Sequence, residues 1–386
     1  MGNILPKILE FPGVNKMLKP ISVLIVDDSA LIRNLVGRVF NTVPDIHVAG
    51  KAINGAFALK KIDTLQPDII VLDLEMPEMN GIEFLKERKK RAINIPVIIL
   101  SSFARKGARI TMEALSLGAA DFILKPSGTD TQDTSSTKEQ LIQLVRIYGE
   151  KFQNQQTSQN TLAERSVEQN LKPPASSEAA PAAPARVTPK REPGPIEIIA
   201  LGISTGGPNA LRDLLPKLDK NLPTPVLVVQ HMPAGFTEEF AISLDKICPL
   251  ETKEAKNGDL IKPGRILIAP GNRHMKIESK PMAKTIKLSD SPPVSGHRPS
   301  VDVLFASVSK AYENRSLAVL MTGMGNDGAT EIGSIYKEGG VTLAQDESSS
   351  VVFGMPRIAI QRGFIHKIVP LKEMAETINK LTQAYA

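Results

Sequence analysis

The chain has 386 residues, of which 42% are hydrophobic and 23% charged, with a formal net charge of +6. This length exceeds what one hydrophobic core serves, the balance is that of a soluble globular protein, and no apolar run reaches the roughly 18 residues of a membrane-spanning helix. Cys248 is the single cysteine, which excludes an internal disulfide framework and a multi-cysteine metal site and leaves it a bystander role.

The first twenty residues, MGNILPKILEFPGVNKMLKP, carry three prolines and no long apolar core. They are expected to form a short extension rather than a secretory signal, so the protein is expected in the cytoplasm. From Ile21 to Tyr148, apolar runs of a few residues alternate with amphipathic stretches, as in repeated βα units on a parallel sheet. The predicted strands are Val23–Val26, His47–Ala52, Ile69–Leu72, Val97–Leu100 and Asp121–Ile123, with helices such as Leu31–Phe40 between them. KEQLIQLVRIYGEK, Lys138 to Lys151, repeats apolar residues at helical spacing and is expected to be the last helix of a domain spanning residues 21–150.

The positive balance raises nucleic-acid binding, with Glu87–Arg91 (ERKKR) as the obvious patch. That run ends an amphipathic helix pattern, however, where cations complement the helix dipole and face solvent. No nucleic-acid partner and no membrane insertion are expected.

Asp27 and Asp28 follow the run VLIV, and Asp73 follows IIVL, which places three carboxylates at the carboxyl ends of two parallel strands. Crowded acids repel one another unless a hard cation neutralises them, and oxygen ligands suit Mg2+. Ser101 ends PVIIL and Lys125 follows ADFIL, so a hydroxyl and an ammonium reach the same edge. Taken singly, Asp28 before Ser29 would also suit a helix cap. The set of DD, D, S and KP resembles the receiver domain of two-component response regulators. That resemblance implies Asp73 as the phosphoacceptor and Asp27, Asp28 and Asp73 around Mg2+, with help from a backbone carbonyl near Glu75. It also implies Ser101 and Lys125 as phosphoryl contacts and Phe122 as the switch aromatic.

Residues 151–194 shift towards Gln, Ser, Ala and Pro, as in KPPASSEAAPAAPARVTPKREPGP, and are expected to form a flexible linker. Alternation resumes at residues 195–386, with IEIIALG, PVLVVQH, LAVLMTG and GVTLAQ as buried strands and Ser300–Tyr312 and Ala329–Lys337 as helices. The fold class is therefore α/β throughout: a five-stranded doubly wound parallel sheet of receiver type, then a larger α/β domain with a mostly parallel sheet.

In the second domain Ser204 sits in a small-residue turn, GISTGGP, between a strand and a helix. A serine hydroxyl needs a histidine base and a carboxylate that fixes the imidazole tautomer. His231 ends PVLVVQ and Asp327 lies in GMGNDG after LAVLMT, so the three can meet at one sheet edge. His274 and His297 compete as bases but end no long apolar strand; His274, in APGNRHM, could contact substrate. The order Ser, His, Asp differs from that of α/β-hydrolases. GISTGGP, QHMP, APGNRHM and GMGNDG together resemble the catalytic domain of chemotaxis protein-glutamate methylesterases, the CheB family.

The resemblance implies a phosphorylation-regulated serine hydrolase that removes methyl esters from receptor glutamates, and deamidates receptor glutamines, for sensory adaptation. Ser204, His231 and Asp327 map onto its catalytic residues, and Thr205 and Met324 onto its oxyanion and substrate contacts, with no cofactor for the esterase. Methyl-accepting chemotaxis receptors would be substrates and a chemotaxis histidine kinase the phosphodonor. GISTGGP alone could equally cap a helix or hold a phosphate. Gly323, Gly325 and Gly328 also form a G-x-G-x-x-G, with Asp346 after the next strand, as in a dinucleotide site, although Asp327 inside that loop would oppose a pyrophosphate. A signalling adaptor with an inert second domain and a DNA-binding regulator are the remaining classes.

Overall fold

The computed structural model describes residues 19–125, 131–165 and 188–385. Most of the N-terminal extension and residues 166–187 of the expected linker lie outside them. The first sheet holds β1 (Ile21–Val26), β2 (Ile46–Ala52), β3 (Ile69–Asp73), β4 (Val97–Ser101) and β5 (Asp121–Leu124) in the order β2-β1-β3-β4-β5, all parallel. Helices α1 (Ala30–Phe40), α2 (Gly55–Leu65), α3 (Gly81–Lys90) and α4 (Arg105–Ser116) connect the strands. Strands covered on both faces need unbroken apolar sequence, which is why β1, β3 and β4 are buried at every position.

Local chemistry fixes where the helices start. The Ser29 hydroxyl accepts the Ile32 N–H to cap α1, so Asp28 does not serve as the cap. Asn80 and Glu83 form a reciprocal capping box at α3. At the other end of α3 the ERKKR run differs from expectation, because Arg88 turns inward. Its guanidinium donates to the Ile95 carbonyl at 3.1 and 2.7 Å and to Gly118 at 3.4 Å. The following helix, α5 (Thr131–Arg165), runs well past Lys151 into the stretch expected as linker. Its later residues are polar and lack apolar periodicity, the signal that would have extended the helix in the sequence.

The second sheet takes β6 (Ile198–Ile203), β7 (Val226–Gln230), β8 (Glu251–Glu254) and β9 (Arg265–Ile268), while β10 (His274–Ser279) and β11 (Lys284–Ser289) form a separate antiparallel hairpin. With β12 (Ser316–Leu320), β13 (Val341–Gln345) and β14 (Lys367–Val369) the order is β14-β13-β12-β6-β7-β9-β8, and every pairing is parallel. Around it lie α6 (Gly207–Leu214), α7 (Phe236–Asp245), α8 (Val301–Tyr312), α9 (Ile332–Glu338), α10 (Met355–Gln361) and α11 (Leu371–Ala384). Among the described residues no helix is long and apolar enough to cross a membrane.

The strand order reverses between β1 and β3 in the first sheet and between β6 and β12 in the second. Such switch points open a crevice at the carboxyl ends of the strands, where ligands of doubly wound folds bind. The two halves are not separated by solvent. Buried residues of α4, including Ala108, Met112 and Leu115, belong to one continuous apolar cluster with Leu211 of α6 and Phe236 and Phe240 of α7.

Candidate active site and receiver pocket

Ser204 follows β6 in a turn that few side chains would fit. Gly206 has φ +76°, and a Cβ at Gly207 would lie 1.9 Å from Gln230 Oε1, so both positions are held to glycine. The Ser204 N–H donates to the Thr322 carbonyl at 2.9 Å and its carbonyl accepts the Gly207 N–H at 2.7 Å, which fixes the backbone beneath the hydroxyl.

His231 leaves the end of β7 with Nδ1 3.0 Å from Ser204 Oγ and Nε2 2.8 Å from Asp327 Oδ2. A carboxylate only accepts, so Nε2 carries the hydrogen and the Nδ1 lone pair is left for the serine hydroxyl. The nitrogens are thus used in the reverse sense to the Ser-His-Asp template, with the same outcome for proton transfer. Burial works against charge on Asp327. The hydrogen bond and charge of His231, with the N–H groups of Asp302 and Val301, outweigh it and hold the carboxyl below its ordinary value. Those N–H groups belong to the first turn of α8, whose dipole also favours an anion there.

The other two histidines take different places. His297 stacks on His231 with ring centroids 3.8 Å apart and planes 12° apart, walling the imidazole without bonding to Ser204. Burial and the adjacent charge of His231 push His297 down to about 4, so it is neutral at physiological pH. His274 is fully buried behind the site and bonds to the Ser300 N–H and the Pro292 carbonyl, so the expectation that it contacts substrate is corrected. It starts the alternating strand β10, whose inward positions face the core. Thr205 and Met324 both line the cleft beside Ser204.

The glycine loop does not offer a dinucleotide site. Asp327 lies within it, and Asp346, needed at a ribose, is held by the hydroxyls of Ser348 and Ser349. Glycine matters elsewhere in this region. A Cβ at Gly202 would lie 2.2 Å from Val301 Cγ1, and Val301 carries an N–H to Asp327 at 2.7 Å. Gly202→Ala is expected to cost about 1–3 kcal/mol through overpacking, read by urea denaturation, and to lower turnover by displacing that N–H.

The cleft above Ser204 has a volume of about 530 Å3, and the first domain forms one wall of it through Phe122 and Leu124 of β5 and Gln140 and Leu144 of α5. Phe122 stacks on Phe236 of α7 at 4.9 Å. Asp121, which the sequence reading did not single out, is buried between the domains; its Oδ2 accepts the Gly206 N–H at 3.1 Å and the Tyr148 hydroxyl at 3.2 Å. Burial raises its carboxyl above the ordinary value in spite of these donors. Asn209 donates to the carbonyls of Ala119 and Ala120 at 3.0 and 3.1 Å, and Lys151 to that of Ser350 at 3.1 Å. No local pattern marks such contacts, because they join residues far apart in the chain.

At the other switch point, Asp27, Asp28 and Asp73 each place an oxygen within 4.8 Å of the others. Lys125 reaches Asp73 at 2.8 Å and Asp27 at 3.0 Å. Burial opposes charge on Lys125, but the two carboxylates outweigh it and raise the ammonium above its ordinary value. Burial, with the neighbouring Asp27, raises Asp73 against the pull of Lys125. Asp27 Oδ2 is buried and its partner is the Lys125 ammonium at 3.0 Å, so a cation seated here would share that carboxylate with Lys125. This donor set fits a hard divalent ion. Ser101 ends β4 with its hydroxyl 2.7 Å from that of Thr111 on α4.

Comparison with known proteins separates the same two regions. The family described as response regulator receiver domain matches residues 23–134, and that described as CheB methylesterase matches residues 199–378. A Treponema denticola protein named protein-glutamate methylesterase/protein-glutamine glutaminase is 53% identical over 372 residues, covering 96% of this chain and 100% of that one. Its namesake from Treponema pallidum is 46% identical over 400 residues, covering 96% and 99%. The crystal structure of the Thermotoga maritima CheB methylesterase catalytic domain is 37% identical and covers 48% of this chain and 98% of that one, with a TM-score of 0.47. A receiver pocket and a serine-histidine-aspartate edge on one chain, with identity carried along nearly its whole length, place this protein in the chemotaxis protein-glutamate methylesterase family.

Proposed function

We propose that this enzyme, a receiver-controlled protein-glutamate methylesterase and protein-glutamine glutaminase, uses Ser204 as nucleophile, His231 as general base and Asp327 as the group that orients the base. The unbroken run of hydrogen bonds from Ser204 Oγ through His231 to Asp327 carries the reading. His231 Nδ1 takes the serine proton as Oγ attacks the glutamyl ester carbonyl, and Asp327 stabilises the imidazolium. The oxyanion is met by the backbone near Met324 and by Thr205. His231 then protonates the departing methoxide, and water repeats the steps to release the glutamate and restore Ser204. With a glutamine substrate, ammonia leaves instead of methanol.

The substrates on this reading are methyl-accepting chemotaxis receptors in the cytoplasm. The receiver occupies residues 21–150 and the esterase residues 195–386. A chemotaxis histidine kinase supplies the phosphoryl group to Asp73, with Mg2+ held by Asp27, Asp28, Asp73 and a backbone carbonyl near Glu75. When bound, that ion neutralises charge between the carboxylates and the incoming phosphoryl group. Lys125 and Ser101 contact the phosphoryl oxygens, and Ser101 reaches them by leaving Thr111. Because Phe122 and α5 wall the esterase cleft, the unphosphorylated receiver restricts access to Ser204.

The test is methanol release from receptor fragments methylated on glutamate, and ammonia release from the corresponding glutamine forms, with and without a small-molecule phosphodonor. Turnover of the methyl ester that rises with phosphodonor is expected. An adaptor with an inert second domain would release neither product.

A further inference from the structure

Asp327 is the most heavily bonded side chain of the esterase site, and one of its partners has no role in the steps above. Its Oδ2 accepts from His231 Nε2 and from the Val301 N–H, and its Oδ1 accepts the Asp302 N–H at 3.0 Å and the Ser300 hydroxyl at 2.8 Å. Ser300 is the N-cap of α8, yet its capping bond to the Val303 N–H is long, at 3.4 Å. The oxygen accepts that weak cap while the hydroxyl hydrogen is directed at the carboxylate.

Ser300 is itself held from behind. Its N–H donates to His274 Nδ1 at 3.2 Å, and His274 Nε2 lies 3.0 Å from the Pro292 carbonyl. The carbonyl only accepts, so Nε2 carries the hydrogen and Nδ1 is free to receive the Ser300 N–H. Both residues are 0% exposed. An apolar side chain in place of this imidazole would leave the buried Ser300 N–H unmet, which is costly. The bonds therefore continue without a gap from the Pro292 carbonyl through His274, Ser300, Asp327 and His231 to Ser204.

We infer that Ser300, seated by the buried His274, is a positioning residue for hydrolysis: its hydroxyl fixes the Asp327 carboxylate in the plane that keeps His231 aligned with Ser204. The inference rests on the triad reading above. Without the hydroxyl, Oδ1 keeps only the Asp302 N–H, and the carboxylate is held less firmly against rotation about its bond to Cβ, with the Val301 N–H left at Oδ2. Lines from Asp327 to His231 are then populated in poor geometry, and the cost falls on the chemical step rather than on substrate binding.

The test compares Ser300→Ala, Ser300→Gly and Ser300→Thr in the full chain, with wild type and Ser204→Ala as controls, by steady-state methanol release and thermal unfolding. Ser300→Ala and Ser300→Gly are expected to lose about 10- to 100-fold in kcat, the range for a hydrogen bond to a charged group, with KM unchanged. Ser300→Thr keeps the hydroxyl and is expected to recover most of the loss. Glycine caps helices nearly as well as serine, so a residue serving only as a cap would tolerate Ser300→Gly. Normal kcat in Ser300→Gly, or a loss that appears in KM alone, overturns the inference while leaving the triad in place. Full activity of Ser204→Ala would remove the triad reading itself, and this inference with it.

Discussion

Ser204→Ala is expected to reduce methanol release by at least about 10^3-fold while leaving the thermal unfolding transition within a degree or two of wild type. Both halves of that expectation come from the same geometry. In the proposed mechanism Oγ forms the acyl bond, and its partner His231 Nδ1 at 3.0 Å has no other hydroxyl to activate among the described residues. The turn itself is held by backbone bonds from Thr322 and Gly207 and by close packing at Gly206 and Gly207, none of which needs the hydroxyl. On the proposed mechanism, residual turnover after substitution would come from the oxyanion contacts alone. Asp327→Asn tests the next link, since an amide in place of the carboxylate would face His231 with the wrong tautomer requirement. A large kcat loss there with an intact fold is expected, and near-normal turnover in Ser204→Ala would discard the assigned nucleophile.

Much of this site is legible in the sequence because parallel sheets write their functional edge plainly. Asp27, Asp73, Ser101 and Ser204 each stand just after a continuous apolar run and His231 follows the strand end Gln230, and the strand ends converge at the switch points. The lone N-cap explanation for Asp28 fails because the next residue, Ser29, caps α1 itself. What the sequence hides is whatever depends on pairing between distant segments. The strand β8 reads ETKE, polar because it lies on the sheet edge, and β10 and β11 alternate as a hairpin does, so neither resembles the buried runs beside them. His274 is misplaced for that reason. Ser300 is visible as the start of a helix, but nothing local shows that its hydroxyl reaches Asp327. The inward turn of Arg88 is equally invisible, since a basic run at a helix end is ordinarily solvated.

Phosphodonor is expected to raise the turnover of the full chain by roughly 5- to 150-fold, the span of a coupling free energy between two sites on one protein, and Asp73→Asn is expected to abolish the rise without changing the basal rate. The receiver stands against the esterase through β5 and α4, which lie near the phosphorylation site proposed at Asp73. Ser101 ends the strand beside Asp73, and its hydroxyl is tied to Thr111 on α4. The same helix packs on α7, where Arg105 lies 3.4 Å from Glu238 and 3.7 Å from Glu239. The exposed Arg105–Glu238 pair contributes little, so the hold rests on the apolar cluster of α4 with α6 and α7, on Phe122 against Phe236 and on Asp121 at the Gly206 N–H. Drawing Ser101 and Lys125 towards a phosphoryl group at Asp73 is expected to shift β4, β5 and α4, the elements that carry those contacts. Phe122→Ala removes the stacked ring from the cleft wall and is expected to raise the unphosphorylated rate several-fold, since aromatic pairs contribute about 0.5–1.5 kcal/mol beyond their buried area. Its response to phosphodonor should shrink by a similar factor, because less restraint is left to release. Equal rates with and without phosphodonor, in protein shown by intact mass to be phosphorylated on Asp73, would mean that the wall formed by β5 and α5 does not limit access to Ser204.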